Sequence, residues 1–183
     1  MKVTSLKIFD IKLIEPDIFE DERGFFFECF NQSKLNKLLN LNINFVQDNH
    51  SSSKKGVLRG LHLQLPPFSQ GKLIRTISGE SAHVVVDLRK NSPTFGDFIF
   101  EHISADNKKQ IWAPEGFAHG FLALTETVEL LYKTTAIYNK DSEITINYDD
   151  PYLNIPWPGN IKKIFSKKDS EGISFDYYKK NNI

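Results

Sequence analysis

KLIRTISGESAHVVVDLR, residues 72–89, reads as two β-strands hinged at a glycine. KLIRTISG (72–79) alternates apolar and polar residues and ends on Gly79, while HVVVDLR (83–89) is a β-branched run suited to a buried strand. Working outward, FIFEHIS (98–104), HGFLAL (119–124), TVELLYKTTAIY (127–138) and EITINYDD (143–150) repeat the strand signal. Turn chemistry separates them at Ser78-Gly79-Glu80, Asn91-Ser92-Pro93, Ala105-Asp106-Asn107, Pro114-Glu115-Gly116 and Tyr138-Asn139-Lys140-Asp141. Many short strands at close spacing predict an all-β sandwich or barrel. Long strand–helix alternation and a P-loop pattern are both missing, which argues against a nucleotide-binding parallel sheet. One helix stands out. NQSKLNKLLNL (31–41) places leucines at 35, 38, 39 and 41 on one stripe, with Asn31 or Ser33 as the cap.

The chain has 183 residues, of which 40% are hydrophobic, enough for one domain spanning 1–183 with a sizeable core. Residues 171–183, ending in the polar DYYKKNNI, read as a loose C-terminal tail. Lys+Arg and Asp+Glu both total 23, so the chain lacks the global basic field that nucleic acid attracts. Cys29 is the only cysteine, which excludes an intrachain disulfide and a cysteine-based zinc cluster and suits a reducing, cytoplasmic setting. The N-terminal segment lacks the apolar core of a signal peptide, and no run of about 18 apolar residues exists to span a membrane. We therefore expect neither nucleic acid nor membrane as a partner.

Six constellations could carry chemistry. In Asp21-Glu22-Arg23-Gly24-Phe25-Phe26-Phe27-Glu28, the Arg23 fork could hold a phosphate and Phe26 could present a face to a ring. Gln47-Asp48-Asn49-His50-Ser51-Ser52-Ser53 reads as a loop rich in amide and hydroxyl donors. In Val57-Leu58-Arg59-Gly60-Leu61-His62-Leu63-Gln64, regular strand parity sends Arg59 and His62 to opposite sides, whereas a bulge at Gly60 brings both inward. Pro114-Glu115-Gly116-Phe117-Ala118-His119 aims His119 from a tight turn, in the manner of the second half of a cupin motif. Metal-binding cupins also need His-x-His upstream, where this chain has His62-Leu63-Gln64, and an amide is a poor ligand beside imidazole. Tyr132 and Tyr138 are strand tyrosines that could serve as core residues or, placed opposite a base, as proton donors. Asp169, in Ser166-Lys167-Lys168-Asp169, is either a turn residue or the orienter of a histidine.

Taken together, DERGFFFECF, QDNHSSS, GVLRGLHLQ, QGKLIR, VDLRKNSPTFG, WAPEGFAHGF, LYK, YDDP, WP and SKKD resemble the dTDP-4-dehydrorhamnose 3,5-epimerase family. The resemblance runs from about Asp21 to Asp169 and implies a double-stranded β-helix (jelly-roll cupin), a homodimer, a nucleotide-sugar substrate and no metal. By matching positions it implies His62 as base, Asp169 as its partner, Tyr132 as acid on the opposite face and Lys72 near the keto oxygen. It also implies substrate contacts from Arg23, Glu28, Gln47, Asn49, Arg59, His119, Glu143 and Lys168, beside the Phe26 face noted above, with Tyr138 stacked on the nucleotide base. One position departs. Family members commonly carry Asp where this chain has His83, which shares strand parity with Val85 and Asp87 and could face the cavity or pack outside.

The implied chemistry is physically coherent. A C4 ketone acidifies the hydrogens on C3 and C5, and removal of either puts negative charge on the C4 oxygen. A cation such as Lys72 stabilises that enolate more than the ketone. Histidine suits the base role at neutral pH. No cofactor is expected, because no electrons change hands overall. Two other classes use the same fold: a metal-dependent cupin enzyme, and a sugar-nucleotide binding module without catalysis.

Overall fold

The computed structural model describes residues 1–181. In chain order the strands are β1 (Lys2–Ser5), β2 (Lys12–Glu15), β3 (Phe19–Asp21), β4 (Gly24–Phe26), β5 (Gln47–Lys54), β6 (Leu58–Gln64), β7 (Lys72–Ser78), β8 (Glu80–Asp87), β9 (Phe98–Ser104), β10 (Gln110–Ala113), β11 (Phe117–Ala123), β12 (Thr127–Thr134) and β13 (Glu143–Thr145). Three short helices, α1 (Gln32–Leu39), α2 (Lys167–Ser170) and α3 (Phe175–Lys180), complete the elements used below. Two antiparallel sheets face each other, ordered β1-β2-β10-β7-β12-β5 and β13-β6-β11-β8-β9, and β3-β4 forms a separate hairpin. The architecture is the double-stranded β-helix of the cupins.

The strands expected at 72–79 and 83–89 are β7 and β8. They diverge at Gly79, whose φ of +72° favours glycine, and β8 joins the opposite sheet. Strand β8 is buried on both faces, which explains its continuous apolar run. Ala82, Val84 and Val86 pack outward against Leu153, Ile155, Trp157 and Phe175 of the C-terminal segment. Val85 packs inward with Ile99, Ile103, Ile111 and Phe117. His83 shares the parity of Val85 and is completely buried, so it faces the barrel interior.

Helix α1 is capped by the Asn31 side chain, which accepts from the Lys34 amide. Its Leu35 and Leu39 cover the outer face of the six-stranded sheet against Ile14, Leu73 and Trp112.

Two expectations change. QDNHSSS is a strand, not a loop: β5 pairs along its whole length with β12. Gln47, Asn49, Ser51 and Ser53 alternate inward, but every one is polar, so the periodicity carries no apolar signal. The segment expected as a loose tail holds α3. Phe175 and Tyr178 are buried, the Tyr178 hydroxyl donates to Leu88 O at 3.1 Å, and the Ser174 side chain caps the helix. Aromatic anchoring overrides the polar composition there. Residues 182–183 of that expected tail lie outside the described residues.

Candidate active site

The site begins with an irregularity in β6. Its pairing with β11 runs His62 opposite His119 and Arg59 opposite Phe121, so β6 carries one extra residue between these pairs. Leu58 and Leu61, three apart, consequently share the outer core, and Arg59 and His62 both line the inner cavity. Gly60 sits at φ +129°, and a Cβ there would meet Gly120 Cα at 2.5 Å and His119 O at 2.9 Å. The bulge therefore requires glycine, and it is what brings both side chains inward.

The cavity, about 300 Å³, opens at one end of the barrel between the two sheets. From the five-stranded sheet come Arg59, His62, Gln64, His119 and Glu143; from the six-stranded sheet come Lys72, Leu130 and Tyr132. His62 and Asp169 make the strongest contact, Nε2 to Oδ1 at 2.6 Å, although 107 residues separate them. Asp169 Oδ1 also accepts from the Gly60 amide at 3.3 Å, and Oδ2 accepts from the Ser166 hydroxyl at 2.6 Å. Burial pushes the Asp169 carboxyl up, but the bonds from His62 and Ser166, the nearby His62 charge and the Gly60 amide outweigh it and hold the group at about 2. Asp169 is thus an anion at neutral pH and fixes a proton on His62 Nε2, leaving Nδ1 free to accept another.

Lys72 Nζ donates to His62 O at 3.1 Å and is buried. Burial lowers its pKa to about 8, with Glu143 opposing the shift and Lys168 adding to it. Tyr132 is raised by burial, which Arg59 partly offsets, so the phenol stays protonated and can donate. At the mouth, Glu143 accepts from Lys168 Nζ at 2.9 Å and from the Tyr138 hydroxyl at 3.0 Å. Gln47 accepts from the Tyr138 amide at 2.9 Å and donates to Asn49 at 2.8 Å, which places both β5 amides beside the mouth rather than among the cavity walls. Gln64 donates to Phe68 O and Ile137 O and accepts from the Asn139 amide, so its side chain is committed to holding loops. Among the described residues no group of three or more His, Cys, Asp or Glu side chains could hold a metal.

Three expected contacts lie elsewhere. Arg23 and Phe26 belong to the β3-β4 hairpin, where Arg23 pairs with Asp21 and Phe26 is 70% exposed. Glu28, just after the hairpin, accepts from Asn31. None of the three lines the cavity of its own chain. Conversely, Ser51, Gln70, Phe121 and Leu130 line it and were not singled out from the sequence. Ser51 lay within the polar stretch already noted; an apolar wall such as Leu130 gives no signal apart from the core.

A barrel of this build is a cupin, and its cavity brings together an imidazole, a carboxylate bonded to it, an ammonium and a phenol. Comparison with known proteins agrees. A family model described as dTDP-4-dehydrorhamnose 3,5-epimerase matches residues 5–176. The enzyme of that name from Shigella flexneri is 49% identical over 181 residues, covering 97% of this chain and 99% of its own. The crystal structure of dTDP-6-deoxy-D-glucose-3,5-epimerase from Legionella pneumophila, in complex with dTDP-4-keto-L-rhamnose, superimposes with a TM-score of 0.93 at 44% identity and covers 96% of this chain and 93% of its own. A 3'-monoepimerase from Streptomyces bikiniensis, solved with dTDP-quinovose, gives a TM-score of 0.89 at 30% identity, covering 93% and 86%. The chain belongs to the dTDP-4-dehydrorhamnose 3,5-epimerase family.

Proposed function

We propose that the chain inverts C3 and C5 of dTDP-4-dehydro-6-deoxy-D-glucose, giving dTDP-4-dehydro-L-rhamnose. One observation carries the reading: His62, bonded to Asp169 of α2, stands on one sheet and Tyr132 with Lys72 on the facing one. A sugar ring held between the sheets meets a base on one face and an acid on the other. His62 Nδ1 takes the hydrogen α to the ketone, Asp169 stabilises the resulting imidazolium, and Lys72 stabilises the charge that moves to the C4 oxygen. Tyr132 then delivers a proton from the opposite side. Arg59 and Lys168 supply charge for the diphosphate, whose remote binding energy holds the ring in register. Glu143, His119, Gln47 and Asn49 add hydrogen bonds, and Tyr138, half-exposed at the mouth, offers a face to the base.

The chain acts as a homodimer in this reading. The β3-β4 hairpin exposes Phe19, Phe25 and Phe26 at 65%, 59% and 70%, an apolar surface that a second copy would cover. The same arrangement would carry Arg23, Phe26 and Glu28 to the partner's cleft, which accounts for their distance from their own. A cytoplasmic setting is part of the proposal and rests on the single free Cys29.

Incubation with dTDP-4-dehydro-6-deoxy-D-glucose in heavy water tests the function. Deuterium is expected at both C3 and C5, and His62→Ala is expected to abolish uptake at both. Uptake at one carbon would make the chain a mono-epimerase, and tight binding without exchange at any carbon would make it a binding module.

A further inference from the structure

Behind the cleft, a line of hydrogen bonds runs into the barrel interior. His119 Nε2 contacts His83 Nδ1 at 3.0 Å, His83 Nε2 contacts Ser81 Oγ at 2.8 Å, and Ser81 Oγ contacts Thr76 Oγ1 at 2.7 Å. Ser81 Oγ also reaches Ile103 O at 3.3 Å. His83, Ser81 and Thr76 are buried, while His119 remains part-exposed where it lines the cavity.

The direction of this line follows from hydrogen counting. A serine hydroxyl has one hydrogen and two acceptor sites. The carbonyl of Ile103 can only accept, so the Ser81 hydrogen goes there. Ser81 must then accept from both remaining neighbours, the Thr76 hydroxyl and His83 Nε2–H. With its proton on Nε2, neutral His83 has a bare Nδ1, which accepts from His119 Nε2–H. Neutral His119 in turn has a bare Nδ1. The reverse direction leaves the Ser81–Ile103 contact without a hydrogen. With both rings neutral, only one arrangement makes all four contacts hydrogen bonds.

We propose that His83 is a positioning residue that holds His119 neutral, as the Nε2–H tautomer, so that His119 meets the substrate as a hydrogen-bond acceptor. Its complement is a hydroxyl on the sugar ring. The ligand's identity rests on the epimerase reading; the tautomer does not.

The surroundings favour the neutral ring. His83 faces His119 from β8 and stacks on it with ring centroids 5.3 Å apart. His62 and Arg59 face it from β6, Lys72 from β7 and Tyr132 from β12. The carboxylates around the cavity are engaged elsewhere: Asp169 with His62, Gly60 and Ser166, and Glu143 with Lys168 and Tyr138. Burial, with His83, Lys72 and His62 nearby, keeps the His119 pKa well below that of a free histidine. Burial likewise holds His83 at about 3, with His102 adding to the shift. A carboxylate at position 83 would reverse the balance, because it stabilises an imidazolium at 119. The charge difference would be felt at His62, which stands directly opposite His119 across the strand pair.

Long-range nitrogen–proton correlation spectra of the histidine rings, recorded on the ligand-free protein, read the tautomers directly. Both rings are expected to show protonated Nε2 and bare Nδ1, without titrating between pH 5 and 8. An imidazolium or an Nδ1–H tautomer at His119 overturns the proposal. His83→Asp is expected to make His119 titrate within that range and to add a second ionisation to the kcat/KM profile. A folded His83→Asp protein with unchanged His119 titration also overturns it. Should that variant not fold, Ser81→Ala decides: loss of the acceptor for His83 Nε2–H is expected to mix the His119 tautomers, and an unmixed spectrum overturns the assignment. Absence of sugar-proton exchange would sink the epimerase reading while leaving these spectra interpretable, so the two fail separately.

Discussion

At the scale of single residues, Lys72 and Asp169 set opposite relations between stability and chemistry. Asp169 has a folded-state pKa of about 2 against an ordinary 3.8. Its contribution to stability is complete above pH 3.8 and is lost as pH falls through 2. Lys72 has a folded-state pKa of about 8 against 10.5, so between those values the unfolded chain binds more protons and stability rises with pH. Below pH 8 the buried ammonium is a standing penalty. Lys72→Met is therefore expected to raise stability at pH 7 by roughly 3 kcal/mol and to flatten the rise between pH 8 and 10.5 in denaturant titrations. Its kcat is expected to fall by about 10²–10³, since the enolate loses its cation. Asp169→Asn is expected to lower kcat by about 10²–10⁴ with a smaller change in KM, because His62 loses both its tautomer and the partner of its imidazolium.

Elements show what the sequence could and could not disclose. The strands β7, β8, β9, β11 and β12 were legible because apolar residues mark at least one buried face. Strand β5 was not legible, because its inward residues face a polar cleft and its outward ones face solvent. Strand parity in GVLRGLHLQ left two arrangements open for Arg59 and His62, and the bulge realises the one that serves a site. Gly60→Ala tests it: an added methyl would sit 2.5 Å from Gly120 Cα at a φ unsuited to alanine, so the pairing of β6 with β11 must open. Loss of about 3 kcal/mol or more is expected in unfolding experiments, together with loss of the His62–Asp169 pair from the histidine spectrum. Helix α3 was hidden by its lysines and by the asparagines that follow it in the sequence, yet Phe175 closes the outer core. Phe175→Ala is expected to cost about 3–5 kcal/mol, measured by the shift in denaturation midpoint.

For the whole molecule, the proposal turns on assembly. Arg23, Phe26 and Glu28 were assigned to the substrate from their motif, and the motif alone could not say whose cleft they reach. A mass of twice 21.1 kDa by sedimentation is expected, and Phe26→Asp is expected to weaken the pairing of chains. Mixing Arg23→Ala with His62→Ala subunits should restore part of the activity that each lacks, because one mixed dimer then holds a complete cleft. No recovery after verified exchange of subunits would mean that Arg23 does not serve the partner's cleft. The remainder of the candidate site was legible in chemical type but not in geometry. His62, Lys72, Tyr132 and Asp169 come from four separated segments, and only the closed barrel brings them to one cavity.

The separation of His62 from Asp169 by 107 residues has a consequence during biosynthesis. All thirteen strands of the described residues precede Asp169 in the chain, so a ribosome has produced every one of them before that carboxylate exists. A nascent or prematurely terminated product ending before Ser166 would bear the histidine without its anion or the hydroxyl that supports it. In the proposed mechanism, activity therefore reports that translation has passed the codon for Asp169.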